Sequence, residues 1–327
     1  MKKFIISAFF LLAAFTSITA QNLIAVQNGG APAFYLQVDS AIVHSQNGDT
    51  IYIPGGSWNI SQPIHKRLHI IGVGHNPDST LATFSTSLIG NVVLAAGADN
   101  GSLTGVYITG RIQGTNDTVT SYTVSRCNIL ANIDLNQSYS NFTFIENIFQ
   151  GNNFNGSFHD CSFFNNIIFC SMNFTSVNAN TMFKNNIFHS WITGLYSLFE
   201  NNVFRWPYDI SFVSNSTFNN NLFVGNFTFP FGTNVGTNNI VNQPWNTIFV
   251  NQNSNTFSYT DDYHLQPNCP GKNAGTDGTD IGIYGGLYPW KDGSVPFNPH
   301  FQYKNISGAT DQSGNLNVNI KVAAQDH

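Results

Sequence analysis

Polar and apolar positions recur in one short phrase that returns seven times. It reads Cys127-Asn128-Ile129-Leu130, Glu146-Asn147-Ile148-Phe149, Asn165-Asn166-Ile167-Ile168, Asn185-Asn186-Ile187-Phe188, Asn201-Asn202-Val203-Phe204, Asn220-Asn221-Leu222-Phe223 and Asn238-Asn239-Ile240-Val241. The second Asn is constant, at spacings of 19, 19, 20, 16, 19 and 18 residues. Three places before it stands Phe144, Phe163, Phe183, Phe199 or Phe218, and one place after it an aliphatic residue. A repeat of this length is one coil of a solenoid whose neighbours bury each other. β-Branched and aromatic residues at fixed places, separated by Asn, Ser and Gly, predict short strands joined by turns. Asn suits the corners because it tolerates the left-handed backbone. Asn128, Asn147, Asn166, Asn186, Asn202, Asn221 and Asn239 are therefore expected to stack as a ladder of side-chain amides.

Charge fits the same stacking. Charged residues are 9% of the chain, against about 25% in a typical soluble protein. In a parallel stack each position recurs about 4.8 Å above itself, so repeated like charges would cost about 1 kcal/mol each even in water. Lys184 and Glu200, each two places before a ladder Asn, are expected to pair. An exposed pair contributes only about 0–1 kcal/mol, which makes it structure and not a site.

The chain begins as a secretory signal over residues 1–20, with Lys2 and Lys3 ahead of an apolar run from Phe4 to Phe15. That run is too short for a membrane span. Residues 21–56 are read as an N-terminal cap, with Val38, Ala41 and Ile42 at helical spacing and Asn47-Gly48 ending the helix. Irregular early coils follow, then regular rungs over about 120–245 and a closing segment over 246–290. From 291 to 327 the alternation Leu316-Asn317-Val318-Asn319-Ile320-Lys321-Val322 predicts one exposed strand lying along the solenoid.

Three stretches carry a resemblance. Gly48-Asp49-Thr50-Ile51 with Leu68-His69-Ile70-Ile71-Gly72, together with the Asn phrase, resembles the right-handed parallel β-helix, or pectin-lyase-like, superfamily. The run Asn268-Cys269-Pro270-Gly271-Lys272-Asn273-Ala274-Gly275, followed by Asp280-Ile281-Gly282-Ile283-Tyr284-Gly285-Gly286, looks like the closing segment of secreted β-helix repeat proteins of Bacteroidetes-type bacteria. The resemblance implies an all-β, single-stranded, right-handed parallel β-helix with a helical N-terminal cap, and it implies no single activity.

The candidate chemistry is sparse. Cys127, Cys161, Cys170 and Cys269 allow three pairings, and free buried thiols acting as small core fillers are the preferred reading. No Cys or His pairs occur at zinc-ligand spacing. Asp277 and Asp280 could hold calcium, although turn formation explains them as well. Asp261, Asp262 and His264 look catalytic in isolation but belong to the closing phrase. The stripe Phe149, Phe188, Phe204 and Phe223, next to an apolar neighbour on the strand, is expected on the outer side and in need of a cover. The preferred site is the segment after the corner, where His189 and Trp191 lie on one coil and Arg205, Trp206, Tyr208 and Asp209 on the next. Aromatic rings cover the C–H faces of a sugar while charged groups bond its hydroxyls. A net charge of −5 with only 12 Lys and Arg disfavours nucleic acid.

These observations predict a secreted or cell-surface protein without cofactor that binds polysaccharide or a surface partner. A lyase or glycoside hydrolase using Asp209 or His189 in acid–base roles is the alternative, and an adhesive structural component is a third reading.

Overall fold

A computed structural model describes residues 23–324, apart from 136–138, 157–158, 175–179, 207–209, 211 and 253. The signal-sequence reading of residues 1–20 lies outside the described residues. The chain forms a parallel β-solenoid of about nine turns with three faces. A regular turn places Thr143–Ile145 on the first face, Ile148–Phe149 on the second and Asn153–Gly156 on the third. Successive turns pair in parallel, with Phe144 opposite Phe163 and Ile148 opposite Ile167. Two antiparallel strands, Ile24–Gln27 and Ala33–Tyr35, extend the first face at its N-terminal edge. The one α-helix among the described residues, Val38–His44, buries Val38, Ala41 and Ile42 in the solenoid core.

The corner between the first and second faces explains the Asn phrase. Its first residue takes the left-handed backbone: φ is 53° at Glu146, 56° at Asn165, 58° at Asn185 and Asn201, and 52° at Asn220. Its second residue turns inward and forms the ladder. The Asn166 backbone N–H and Nδ2 both donate to Asn186 Oδ1, at 2.9 Å each, and Nδ2 also donates to Phe144 O at 2.9 Å. The same three bonds recur at Asn147, Asn186, Asn202 and Asn221. Asn239 ends the ladder by donating to Phe218 O at 2.8 Å. Each amide is satisfied inside the core, where an unpaired one would cost about 1–3 kcal/mol.

Asn128 stands outside this ladder. It pairs with Ile148 across the second face, which puts Cys127 opposite Asn147 and one place earlier than the repeat suggests. The Cys127 N–H donates to Asn147 Oδ1 at 3.0 Å, and the Cys127 thiol points to Leu103 O at 3.6 Å. Asn128 faces the other way, donating to the Tyr259 hydroxyl at 2.9 Å and accepting from Gln150 Nε2.

Phe144, Phe163, Phe183, Phe199 and Phe218 fill the interior as one continuous stack with centroid spacings of 4.4–4.8 Å. The expected outer Phe stripe lies inside as well: Phe188, Phe204 and Phe223 stack at 4.8 and 5.0 Å, and Phe149 packs edge-on against Phe144. Strand alternation then turns their neighbours Ile148, Ile167, Ile187, Val203 and Leu222 outward. These form a second apolar layer covered by Ile248, Phe249, Tyr263, Leu265, Ile281 and Ile283 of the closing segment. The second face is thus buried on both sides, which is why its strands read as unbroken apolar pairs.

The closing segment runs back along the corner as a strap, and the left-handed residues hold it turn by turn. Asn220 Nδ2 donates to Ala274 O, Asn201 Oδ1 accepts from Thr276 N, Asn185 Nδ2 donates to Gly282 O, and Arg126 Nη1 donates to Val295 O. Pro296 then lies on Gly105, where a Cβ would come within 2.2 Å of its Cγ. Beyond the strap, Val318–Ala323 pairs antiparallel with His300–Ile306. This two-stranded ribbon replaces the lone strand expected along the solenoid, because its hydrogen bonds are met by the neighbouring tail segment. All four cysteines are free and buried.

Candidate functional site

On the third face the repeat places a long polar row in register. The strands of this face alternate, with Ile112, Ile133, Phe154, Met172 and Ile192 buried and Gln113, Asp134, Asn155, Asn173 and Thr193 half-buried on the outer side. The outer groups are linked along the solenoid axis. Arg111 Nη1 donates to Asp134 Oδ2 at 3.1 Å, Asn155 Nδ2 to Asp134 Oδ1 at 3.2 Å and Asn173 Nδ2 to Asn155 Oδ1 at 3.2 Å. Asp134 is thereby neutralised by Arg111. Beside this row runs a second column, Asn153, Ser171 and Trp191, set by the pairing of Asn153 with Ser171 and of Met172 with Ile192.

Trp191 ends that column 52% exposed, stacked on Phe212 at 6.0 Å and 20°. Trp206, one turn on at the same corner, is 48% exposed. Rings so placed offer apolar faces to solvent next to a row of amides.

His189 and Arg205 do not join this surface. His189 is 8% exposed, stacks on Phe169 at 4.1 Å and meets the edge of Trp245 at 5.5 Å. Burial, reinforced by the adjacent Arg205, holds its imidazole well below the usual histidine range, so it is neutral at pH 7. Arg205 lies 4.3 Å from the Trp245 ring centroid, donates to Ser254 O and contacts His189 Nδ1 at 3.2 Å. Both side chains are nearly buried beneath the closing segment, and the Arg205 guanidinium also lies 5.5 Å from the ring centroid of Trp206. The predicted site therefore divides, with Trp191 and Trp206 at the surface and His189 and Arg205 in the packing. Tyr208 and Asp209 lie outside the described residues.

Asp261, Asp262 and His264 line a different recess, a cleft of about 220 Å³ walled by Phe257, Tyr284 and Trp290. Asp262 Oδ1 accepts from both the backbone N–H of His264 (2.9 Å) and its ring Nδ1 (2.8 Å), and the ring stacks on Tyr284 at 3.7 Å. Tyr284 donates to Asp292 at 2.7 Å. Burial raises the Asp261 carboxyl above the usual carboxylate range, against the Ser258 N–H that it accepts. The two acids considered for calcium are spent on turns: Asp277 accepts from Thr279, and Asp280 accepts from Lys272 and Asn273. Among the described residues no group of three or more His, Cys, Asp or Glu side chains is arranged to hold a metal ion. No helix among them is long and apolar enough to cross a membrane. The Lys184–Glu200 pair joins adjacent turns of the first face at 2.5 Å.

No protein-family model matches the chain, and no curated protein is similar to it.

Proposed function

We propose that the chain is a secreted right-handed parallel β-helix of the pectin-lyase-like type, plugged at its N-terminal end by the helix 38–44, that binds neutral polysaccharide along the outer side of its third face. The observation that carries the reading is the exposed Trp191–Phe212 stack, which lies beside the row of outward polar side chains spaced one per turn. Handedness follows from the strong preference of parallel crossovers for the right-handed path, and secretion from the Lys2-Lys3 and Phe4 to Phe15 pattern. A sugar chain laid along the axis would stack on Trp191 and bond Asn173, Asn155 and Gln113 in turn. With Asp134 paired to Arg111, the row offers no free cation to hold a uronate. The test is electrophoresis of residues 21–327 through native gels cast with neutral or acidic polysaccharides, followed by staining for residual polymer. Retardation by neutral polymer left intact supports the reading, and its absence from every gel overturns it.

The cleft at Asp261 favours one second reading, a glycoside hydrolase. A carboxyl raised by burial beside another carboxylate is the environment of a general acid. Cleared polymer in the same gels, abolished by Asp261→Asn, would establish it. The adhesive reading loses its support, because the Phe stripe on which it rested is core.

A further inference from the structure

The polar row of the third face is one of two outward columns. The residues two places earlier on the same strands, Arg111, Asn132, Asn153, Ser171 and Trp191, flank the buried Ile112, Ile133, Phe154, Met172 and Ile192 on the other side and are half-buried or exposed. Successive turns repeat each column about every 4.8 Å, and two residues of extended strand set the columns about 6.6 Å apart. The face is therefore a straight grid, five turns long from Gln113 to Thr193 and two side chains wide.

The amides of the grid are held in one orientation. Asn173 gives an N–H to Asn155 and Asn155 gives one to Asp134, both along the axis and in the same sense. A carboxamide carries two N–H donors, so each amide keeps one that this relay does not use, repeated one turn further on. Arg111 and Asp134 are the charged members of the two columns, and they pair with each other. Trp191 stands at the far end, in line with Asn153 and Ser171.

A polymer matched to such a grid advances by one residue per turn and carries hydroxyls along both of its edges. A neutral sugar chain joined by 1,4-β linkages does both. It is an extended ribbon in which each ring advances the chain by close to the spacing of turns, and alternate rings are turned over, which puts hydroxyls on either edge. Chains joined by 1,4-α or 1,3-β linkages coil, and they leave the line of the grid after a residue or two.

Resting on the polysaccharide reading above, we propose that the third face selects neutral chains of the 1,4-β-linked class. The chain lies parallel to the axis with one sugar residue per turn from Gln113 to Thr193, and the ring nearest Trp191 stacks on its indole.

The test is titration calorimetry of residues 21–327 with oligosaccharides of two to seven residues. The 1,4-β-linked oligomers of glucose and of mannose are compared with 1,4-α- and 1,3-β-linked oligomers of glucose. At least one 1,4-β series is expected to bind, with Kd falling at each added residue up to five and by less than twofold per residue beyond. Its five-residue member should bind at least tenfold tighter than the coiled chains of equal length. Asn155→Ala, in the middle of the row, should raise the Kd of that member fivefold or more and the Kd of the disaccharide less than twofold. The comparison of linkages needs no substitution, so it decides the matter even if Asn155→Ala fails to fold. Equal binding of a coiled series, or no gain in affinity beyond two residues, overturns the proposal and leaves polysaccharide binding itself standing. No binding by any series, together with no retardation in any gel, overturns both.

Discussion

Asn165 reaches out of the solenoid into the strap that closes over it, donating through Nδ2 to Ile283 O at 2.8 Å and to Gly285 O at 2.7 Å. Ile283 O has a second donor in Trp290 N, whereas Gly285 O depends on Asn165. Asn165→Ala would leave that carbonyl unpaired at a cost of about 1–3 kcal/mol. The expected outcome is local. Amides of 281–290 should exchange faster with solvent while those of Ile167 and Ile187 keep their protection. Equal loss of protection in strap and rungs would show that the two do not open separately.

Cys127 occupies the place of a ladder Asn without the amide. Its thiol already points to Leu103 O, the carbonyl corresponding to those bound by the ladder Asn residues, and its N–H is already held by Asn147. Cys127→Asn should therefore extend the ladder by one turn and stabilise the protein by about 0.5–1.5 kcal/mol, the net worth of one buried hydrogen bond. Denaturant unfolding at equal m-value reads the change. A loss of stability would mean that the first turns cannot accept the larger side chain.

The register of that turn was not legible in the sequence because Asn128-Ile129 looks like every other Asn-Ile pair. Only backbone pairing with Ile148 reveals the slip by one residue. The same limit hid which way Phe149 points. Alternation identifies the inner side of a strand only when the other side meets water, and the closing segment removes water from both. The Asn phrase still revealed the corner, the ladder from Asn147 onward and the Phe stack, since each is a side-chain identity repeated at fixed spacing. The path of the closing segment along the corner was illegible for the opposite reason, as it is held there mainly through its own backbone carbonyls, which no residue type announces. The third-face row had a readable signal in Ile133-Asp134-Leu135 and Met172-Asn173-Phe174, where a polar residue sits between buried ones.

The buried imidazoles of His75, His189 and His300, all held low by burial, act in one direction on the pH dependence. Burial lowers His75 to about 3, and burial with Arg205 lowers His189 well below its usual range. Each is neutral in the folded protein and takes up a proton on unfolding once the pH falls below about 6.5. The unfolded state then binds more protons, so stability falls with falling pH, by up to about 1.4 kcal/mol per pH unit for each histidine. Denaturant midpoints should drop between pH 7 and 5. The slope should flatten in His75→Gln, which removes one titrating group. A midpoint that rises over this range would mean that the raised carboxyls of Glu146 and Asp261, which act with the opposite sign, prevail.

The division of the predicted site gives two substitutions opposite expectations. Trp191 is half exposed, and its main ring contact is Phe212, itself 61% exposed. Trp191→Ala therefore removes little buried area and should shift stability by less than about 0.5 kcal/mol, yet it should abolish most retardation in gels of neutral polysaccharide. His189 fills the space between Phe169 and Trp245 beneath the closing segment. His189→Ala opens a cavity there and removes the partner of Arg205, which should cost about 2–4 kcal/mol while leaving binding by the folded fraction intact. Measuring melting temperature and gel mobility on the same two proteins separates the roles. If His189→Ala loses binding at full stability, the closing segment must lift to expose it. If Trp191→Ala loses stability and not binding, the ring is packing and the polysaccharide face lies elsewhere.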